Sequence, residues 1–90
     1  MATFAKDPVA ILDYILDWSD WLDSDVIVNS LWTAEPGITI VTDSRLFTDT
    51  TTTVWLSDGA LRSSYKVSNT ITTDGGRVQK HSFHIRIESA

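Results

Sequence analysis

Period-two alternation of apolar and polar residues, turn residues recurring roughly every ten positions, and β-branched residues crowding the segments between them predict an all-β fold for this 90-residue chain. The specific expectation is an immunoglobulin- or fibronectin-like antiparallel β-sandwich of about seven strands, with a small open barrel as the alternative. The length fits one domain, read as an N-terminal arm at residues 1–9 and a sandwich at residues 10–90. A chain of this size buries only about 60–65% of its unfolded surface. It has no cysteine, so packing or assembly must supply what disulfides and zinc thiolates would otherwise add.

The opening stretch "MATFAKDPVA" reads as an arm because Pro8 holds Asp7 in extended geometry. Its backbone needs a neighbouring strand or a partner to be ordered. The next block, "LDYILDWSDWL" at Leu12–Leu22, fits two patterns. As a helix it has Asp7 as cap, Pro8 in the first turn, and Ile11, Ile15, Trp18 and Leu22 on one stripe. As a strand it has Leu12, Tyr14, Leu16 and Trp18 on one face, with Ile11, Asp13, Ile15 and Asp17 on the other. Everything downstream reads as β, so the strand is expected, ending in a turn formed by Asp20, Asp23, Ser24 and Asp25.

A strand follows at Val26–Thr33, with Ile27 and Leu31 alternating against Val28 and Trp32. Pro36–Gly37 suits a type II bend, and Ile38–Asp43 is a strand with Ile38 and Ile40 on one face. Ser44–Thr50 is a short edge strand or a loop. The threonine run from Thr50 leads into a strand with Val54 and Leu56 on one side and Trp55 on the other, closed by Asp58–Gly59. The clearest alternation is at Tyr65, Val67, Asn69 and Ile71 against Lys66, Ser68, Thr70 and Thr72. Asp74–Gly76 marks a hairpin. The returning strand turns His81, Phe83, Ile85 and Ile87 inward and Lys80, His84, Arg86 and Glu88 outward. Tyr65 stands where a Greek-key sandwich tucks a tyrosine hydroxyl against the preceding loop.

These faces give an expected core of Tyr14, Leu16, Trp18, Val28, Trp32, Ile38, Ile40, Val54, Leu56, Tyr65, Val67, Ile71, Phe83, Ile85 and Ile87. Trp21, in a turn, and Trp55, opposite Val54 and Leu56, are expected at the surface, where such residues anchor interfaces. The formal charge of −5 is unevenly spread. Asp7, Asp13, Asp17, Asp20, Asp23 and Asp25 precede residue 30 against Lys6 alone. Arg62, Lys66, Arg77, Lys80 and Arg86 follow residue 60 against Asp74 and Glu88. Pairing between copies would use that asymmetry. The candidate protein–protein interface is therefore Lys6, Asp7, Pro8, Asp20, Trp21, Asp23, Trp55, Lys66, Arg77, Lys80 and Arg86.

Other functions find little support. The acidic balance weighs against nucleic acid as a partner. There is no basic flank with an apolar run of signal-peptide type, and no apolar run long enough for a membrane helix. Asp13, Asp17, Asp20, Asp23 and Asp25 supply oxygens for calcium but lack the spacing of an EF-hand loop. The same aspartates offer no carboxylate pair marked for glycoside hydrolysis. His81 and His84 fall on opposite faces of a strand, which spoils a shared metal site. Ser82 has no nucleophile-elbow context, and Asp74-Gly75-Gly76 lacks the length and lysine of a phosphate loop. No catalytic residue, metal or cofactor is expected. A sugar-binding module using exposed Trp21 and Trp55 is the alternative to a protein adaptor.

Several blocks in fixed order carry a family resemblance. They are Lys6-Asp7-Pro8, Leu12-Asp13-Tyr14 with Asp17-Trp18-Ser19-Asp20-Trp21-Leu22, Trp32-Thr33 before Gly37, Val54-Trp55-Leu56-Ser57-Asp58-Gly59, and Tyr65 through Thr73 before Gly76-Arg77. From about Lys6 to Ile87 the chain resembles a family of small phage proteins, the fibre–tail adaptors or neck/tail accessory modules. The segment with Arg45, Leu46 and Phe47 departs from the family's pattern. The resemblance implies a non-enzymatic virion protein, made in the host cytoplasm. It would join fibre or neck components to the tail or connector in several copies. Its partners would be other virion proteins and copies of itself, with no nucleic acid and no membrane.

Overall fold

The computed structural model describes residues 3–41 and 46–89. The chain runs β1 (Thr3–Lys6), β2 (Leu12–Asp17), α1 (Ser19–Leu22), β3 (Ile27–Ala34), β4 (Ile38–Ile40), β5 (Thr51–Asp58), β6 (Ser64–Thr73) and β7 (Val78–Ile87). Two sheets face each other, one ordered β1-β7-β6-β3 and the other β2-β5-β4. This is the expected immunoglobulin-like sandwich, all antiparallel except where β1 pairs parallel with β7.

The β6–β7 hairpin is the longest continuous pairing, from Ser64↔Arg86 to Thr72↔Val78. Its loop closes with Gly76 N–H donating to Thr73 O and Thr73 N–H to Arg77 O, both 2.9 Å. Gly76 sits at φ +86°, as a three-residue hairpin loop requires of its last residue.

The stretch read as an N-terminal arm holds a strand instead. Thr3–Lys6 lies along β7, with Phe4 opposite Ile85, so the backbone hydrogen bonds an arm would need from elsewhere come from the chain's own sheet. Phe4 packs edge-on to Phe83 and close to Tyr14, each at 5.4 Å between ring centroids. Lys6, expected at an interface, is buried at 2% exposure. Its ammonium donates to the carbonyls of Asp7 (2.9 Å) and Asp58 (2.7 Å). That stitches β1 to the end of β5 in the other sheet. Burial lowers the Lys6 pKa, opposed by the nearby Asp58 and Asp7 carboxylates.

The opening block resolves as strand, then one helical turn. Tyr14 and Leu16 are half-buried and Trp18 is buried, while Ile11, Asp13, Ile15 and Asp17 point outward. The strand stops because Asp17 Oδ1 accepts the Ser19 N–H at 2.9 Å, and α1 then closes with Leu22 N–H on Trp18 O at 2.9 Å. Leu22 is thereby driven into the core at 1% exposure.

The core has two compartments. The larger joins Trp32, Ile38, Val54, Leu56, Tyr65, Val67, Phe83, Ile85 and Ile87, with Tyr14, Leu16 and Ile40 half-buried around it. The smaller joins Trp18, Leu22, Ile27 and Ile71. Between them lies a buried polar rung. Trp18 Nε1 donates to Thr52 Oγ1 (3.1 Å) and Thr52 Oγ1 to Asn69 Oδ1 (2.7 Å). Asn69 Nδ2 reaches Ser30 Oγ (2.8 Å) and Leu31 O (3.1 Å). The rung links β5 of one sheet to β6 and β3 of the other. Among the described residues, no buried side-chain nitrogen or oxygen lacks a partner.

Val28, expected in the core, is on the outside at 50% exposure. The register shifts there, from Ile27↔Thr73 to Asn29↔Thr72, so Val28 is the extra residue of a bulge. The shift places Ile27, Ser30 and Trp32 inward and Leu31 outward. His81, expected inward, keeps its place on the inner face but is exposed. It lines an open cleft, its ring 5.9 Å from that of Trp18.

Tyr65 takes the corner role. Its hydroxyl accepts the Ala60 N–H at 2.9 Å. Its ring covers Gly37, where an added Cβ would fall 2.7 Å from Tyr65 Cε1 and where φ is +109°. Glycine is the residue that fits both the bend and the ring. Of the expected strand Ile38–Asp43, the observed β4 ends at Ile40, and Asp43 lies outside the described residues. So do Ser44 and Arg45 of the ambiguous segment. Its remainder contributes a bridge, Phe47↔Thr52.

Candidate interaction surfaces

The expected interface residues divide into those engaged inside the molecule and those presented outward. Trp21 and Arg77 belong to the first group. The Arg77 guanidinium lies 4.4 Å from the Trp21 ring centroid, donates to Leu22 O at 2.8 Å and pairs with Asp25 at 3.2 Å. Asp25 also accepts the N–H groups of Val26 (2.9 Å) and Gly75 (3.0 Å). The Thr73 hydroxyl first, then those N–H groups and Arg77, hold its carboxyl down at about 2, against the opposing effect of desolvation. Arg77 was expected to meet the acidic segment of another copy; the acidic segment it meets is its own. This joins the aspartate-rich block to the β6–β7 hairpin from 52 positions away in sequence.

Around this corner a cleft of about 240 Å³ is lined by Leu16, Asp17, Trp18, Asp20, Trp21, Gln79, Lys80 and His81. It offers no flat aromatic platform, since Trp18 is 6% exposed and Trp21 carries Arg77 over its ring. The hydrogen bond from Ser19 lowers the Asp17 pKa. Among the described residues, no three His, Cys, Asp or Glu side chains converge on a metal-sized site. The aspartates expected to form a cluster are separated: Asp13 and Asp17 on the outer face of β2, Asp20 and Asp23 exposed around α1, and Asp25 in its hydrogen-bond cage. Ser82 shares a hydroxyl–hydroxyl bond with Ser68 at 2.7 Å.

On the outer face of the β2-β5-β4 sheet, Asp13 stands opposite Trp55 and Ile15 opposite Thr53. Val41 N–H donates to Trp55 O, and Thr53 N–H to Leu46 O, which brings Val41 and Leu46 beside them. Ile11, Ile15, Val41, Leu46 and Trp55 are all exposed. Between Trp55 and the Leu46–Thr48 segment is a hollow of about 340 Å³. Trp55 was singled out from the sequence; Ile11, Ile15, Val41 and Leu46 were not. Ile11 and Ile15 share their side of the β2 segment with Asp13 and Asp17, so the alternation marked that side as mixed rather than apolar.

The outer face of the four-stranded sheet is different. Its rows run Leu31–Thr70–Lys80 and Thr33–Ser68–Ser82, followed by Lys66–His84 and Ser64–Arg86. Lys66 and Lys80 are exposed, and Arg86 pairs with Glu88 at 2.8 Å. Glu35 accepts the Lys66 backbone N–H. At the molecule's other end Asp7 caps the turn at Pro8 by accepting the Val9 N–H at 2.9 Å.

Residues 6–86 match the family described as podophage GP4 fiber-tail adaptor protein gp77. No curated protein matches the chain. Among solved structures, the chain is similar to the solution structure of the PKD domain from KIAA 1837 protein, with a TM-score of 0.60 at 15% identity. That likeness covers 98% of this chain and 79% of the other, and it shows the fold.

Proposed function

Since the chain belongs to the podophage GP4 fiber-tail adaptor family, we propose that it is a non-enzymatic structural protein of a phage virion. It joins fibre or neck components to the tail or connector, in several symmetric copies. The observation that carries this reading is the family match, which spans residues 6–86. The geometry is consistent with a mechanical role. The sandwich is tied across its two sheets by Lys6 and by the Thr52–Asn69 rung, and the Asp25–Arg77 pair fastens the segment before β3 to the β6–β7 hairpin. Ile15, Val41, Leu46 and Trp55 are exposed on the outer side of one sheet, and Leu31 and Val78 on that of the other.

Its partners on this reading are other virion proteins and further copies of the same chain, reached after synthesis in the host cytoplasm. No helix among the described residues is long and apolar enough to cross a membrane. Symmetric copies would give avidity from individually modest contacts. The sugar-binding alternative has lost one of its two tryptophans as a stacking surface, because Arg77 lies over Trp21.

The test is assembly without the chain. Particles produced from a genome with this reading frame deleted should lack attached fibres, and supplying the purified chain should restore attachment. Fibres retained at wild-type occupancy in the deleted particles would refute the proposal.

A further inference from the structure

We propose that the outer face of the three-stranded sheet docks on the outer face of the four-stranded sheet of a second copy. The proposal rests on the adaptor reading and names the surfaces through which copies meet.

The first face is apolar beyond what a lone domain needs. Ile15 is 59% exposed, Val41 50%, Leu46 45% and Trp55 39%, and they are contiguous across β2, β5 and the strand-end backbone pairings. Such contiguity on one sheet marks an interaction site rather than scattered surface hydrophobes. The hollow beside Trp55 gives a partner side chain somewhere to seat, which is the form taken by interface anchors.

Charge selects the occupant. Among the described residues of this face the charged side chains are Asp13 and Asp17, with no Lys, Arg or His beside them. Two copies meeting through this same face would bring those carboxylates together, so a self-complementary dimer is disfavoured. The four-stranded sheet offers the complement. Leu31 and Val78 are 54% and 65% exposed on its outer side. Lys80 lies in the row of Leu31, two residues along the strand from Val78. Apolar residues with a cation on one face therefore meet apolar residues with carboxylates on the other. Because the two faces are different, the contact is heterologous and propagates, closing into a ring where the rotation allows.

The full chain would be studied by sedimentation velocity and native mass spectrometry, with Ile15→Lys disabling the first face and Leu31→Asp the second. Both positions are solvent-exposed, and circular dichroism with thermal melting checks that each variant folds. Wild type should form oligomers that weaken as salt rises. Each variant alone should self-associate at least tenfold more weakly. An equimolar mixture of the two should give a 1:1 heterodimer that grows no further, since one good face of each kind remains. Lys80→Glu offers a milder second variant in the same direction. A monomeric wild type, or a Leu31→Asp variant that assembles as well as wild type, would overturn the proposal. These outcomes separate from failure of the adaptor reading. A monomeric chain still present in purified particles removes the docking and leaves the adaptor. A self-associating chain absent from particles removes the adaptor.

Discussion

The two compartments of the core, one on each side of the Thr52–Asn69 rung, are held together in different ways. The larger is a conventional apolar layer. Val54, Leu56, Val67, Phe83, Ile85 and Ile87 are completely buried, and Phe83 meets the rings of Phe4, Tyr14 and Trp32. The smaller, among the described residues, has Trp18, Leu22, Ile27 and Ile71 in its interior. It is closed from outside by Trp21, Arg77 and Asp25. One end is thus stabilised by burial, which salt and pH hardly affect. The other depends on polar contacts that both can reach.

The greatest loss is expected from the apolar end. Phe83→Ala removes a fully buried ring from the junction of four aromatics and should cost about 3–5 kcal/mol, measured as a lower urea midpoint with the slope unchanged. The boundary is next. Asn69→Ala leaves Thr52 and Ser30 facing each other without their shared partner, at a cost of about 2–3 kcal/mol. If that change proves neutral in equilibrium unfolding, the rung does not couple the sheets. At the smaller end, Arg77→Ala should cost only about 1 kcal/mol, through the lost ring contact and the lost bond to Leu22 O. Its clearer signature is faster amide exchange confined to residues 18–27, with the β6–β7 core unchanged.

The smallest effect is on the acid limb. The Asp25 carboxyl is held at about 2 in the folded protein against an ordinary value of 3.8. A depressed carboxylate stabilises the fold above its unfolded pKa, and that contribution fades as pH falls from about 4 to about 2. Asp25→Asn should therefore flatten the decline in melting temperature over that interval. An unchanged acid profile in the variant would show that Asp25 is not the group being titrated.

The same contrast explains what could be read from the sequence. In β6 and β7 the inward positions Tyr65, Val67, Ile71, Phe83, Ile85 and Ile87 are apolar and alternate with polar residues, so alternation revealed both strands and most of the larger core. The family blocks were legible too, because they keep their order along the chain. Val28 was not, since Ile27 and Val28 carry the same β-branched signal and only the pairing with β6 decides which turns inward. Lys6 was read as surface because a lysine seldom buries. It does so here because two backbone carbonyls, one from the far end of β5, receive its ammonium. The parallel pairing of β1 with β7 joins the two ends of the chain and leaves no local pattern. On the interaction surfaces, the sequence marked charge and tryptophan but not contiguity. Trp21 and Arg77 satisfy each other across the molecule, whereas Ile15, Val41 and Leu46 gather around Trp55 only once the three-stranded sheet has formed.

In the docking proposed above, the outer faces of the two sheets are what one copy presents to the next. The most direct test is electron cryomicroscopy of the intact particle, at a resolution that traces the chain and its neighbours. The sandwich is expected between fibre and tail components, with Ile15 and Trp55 of one copy covered by the Leu31–Lys80 face of the next. A map in which the chain is missing from the particle, or in which the Trp55 face of every copy is open to solvent, would contradict it.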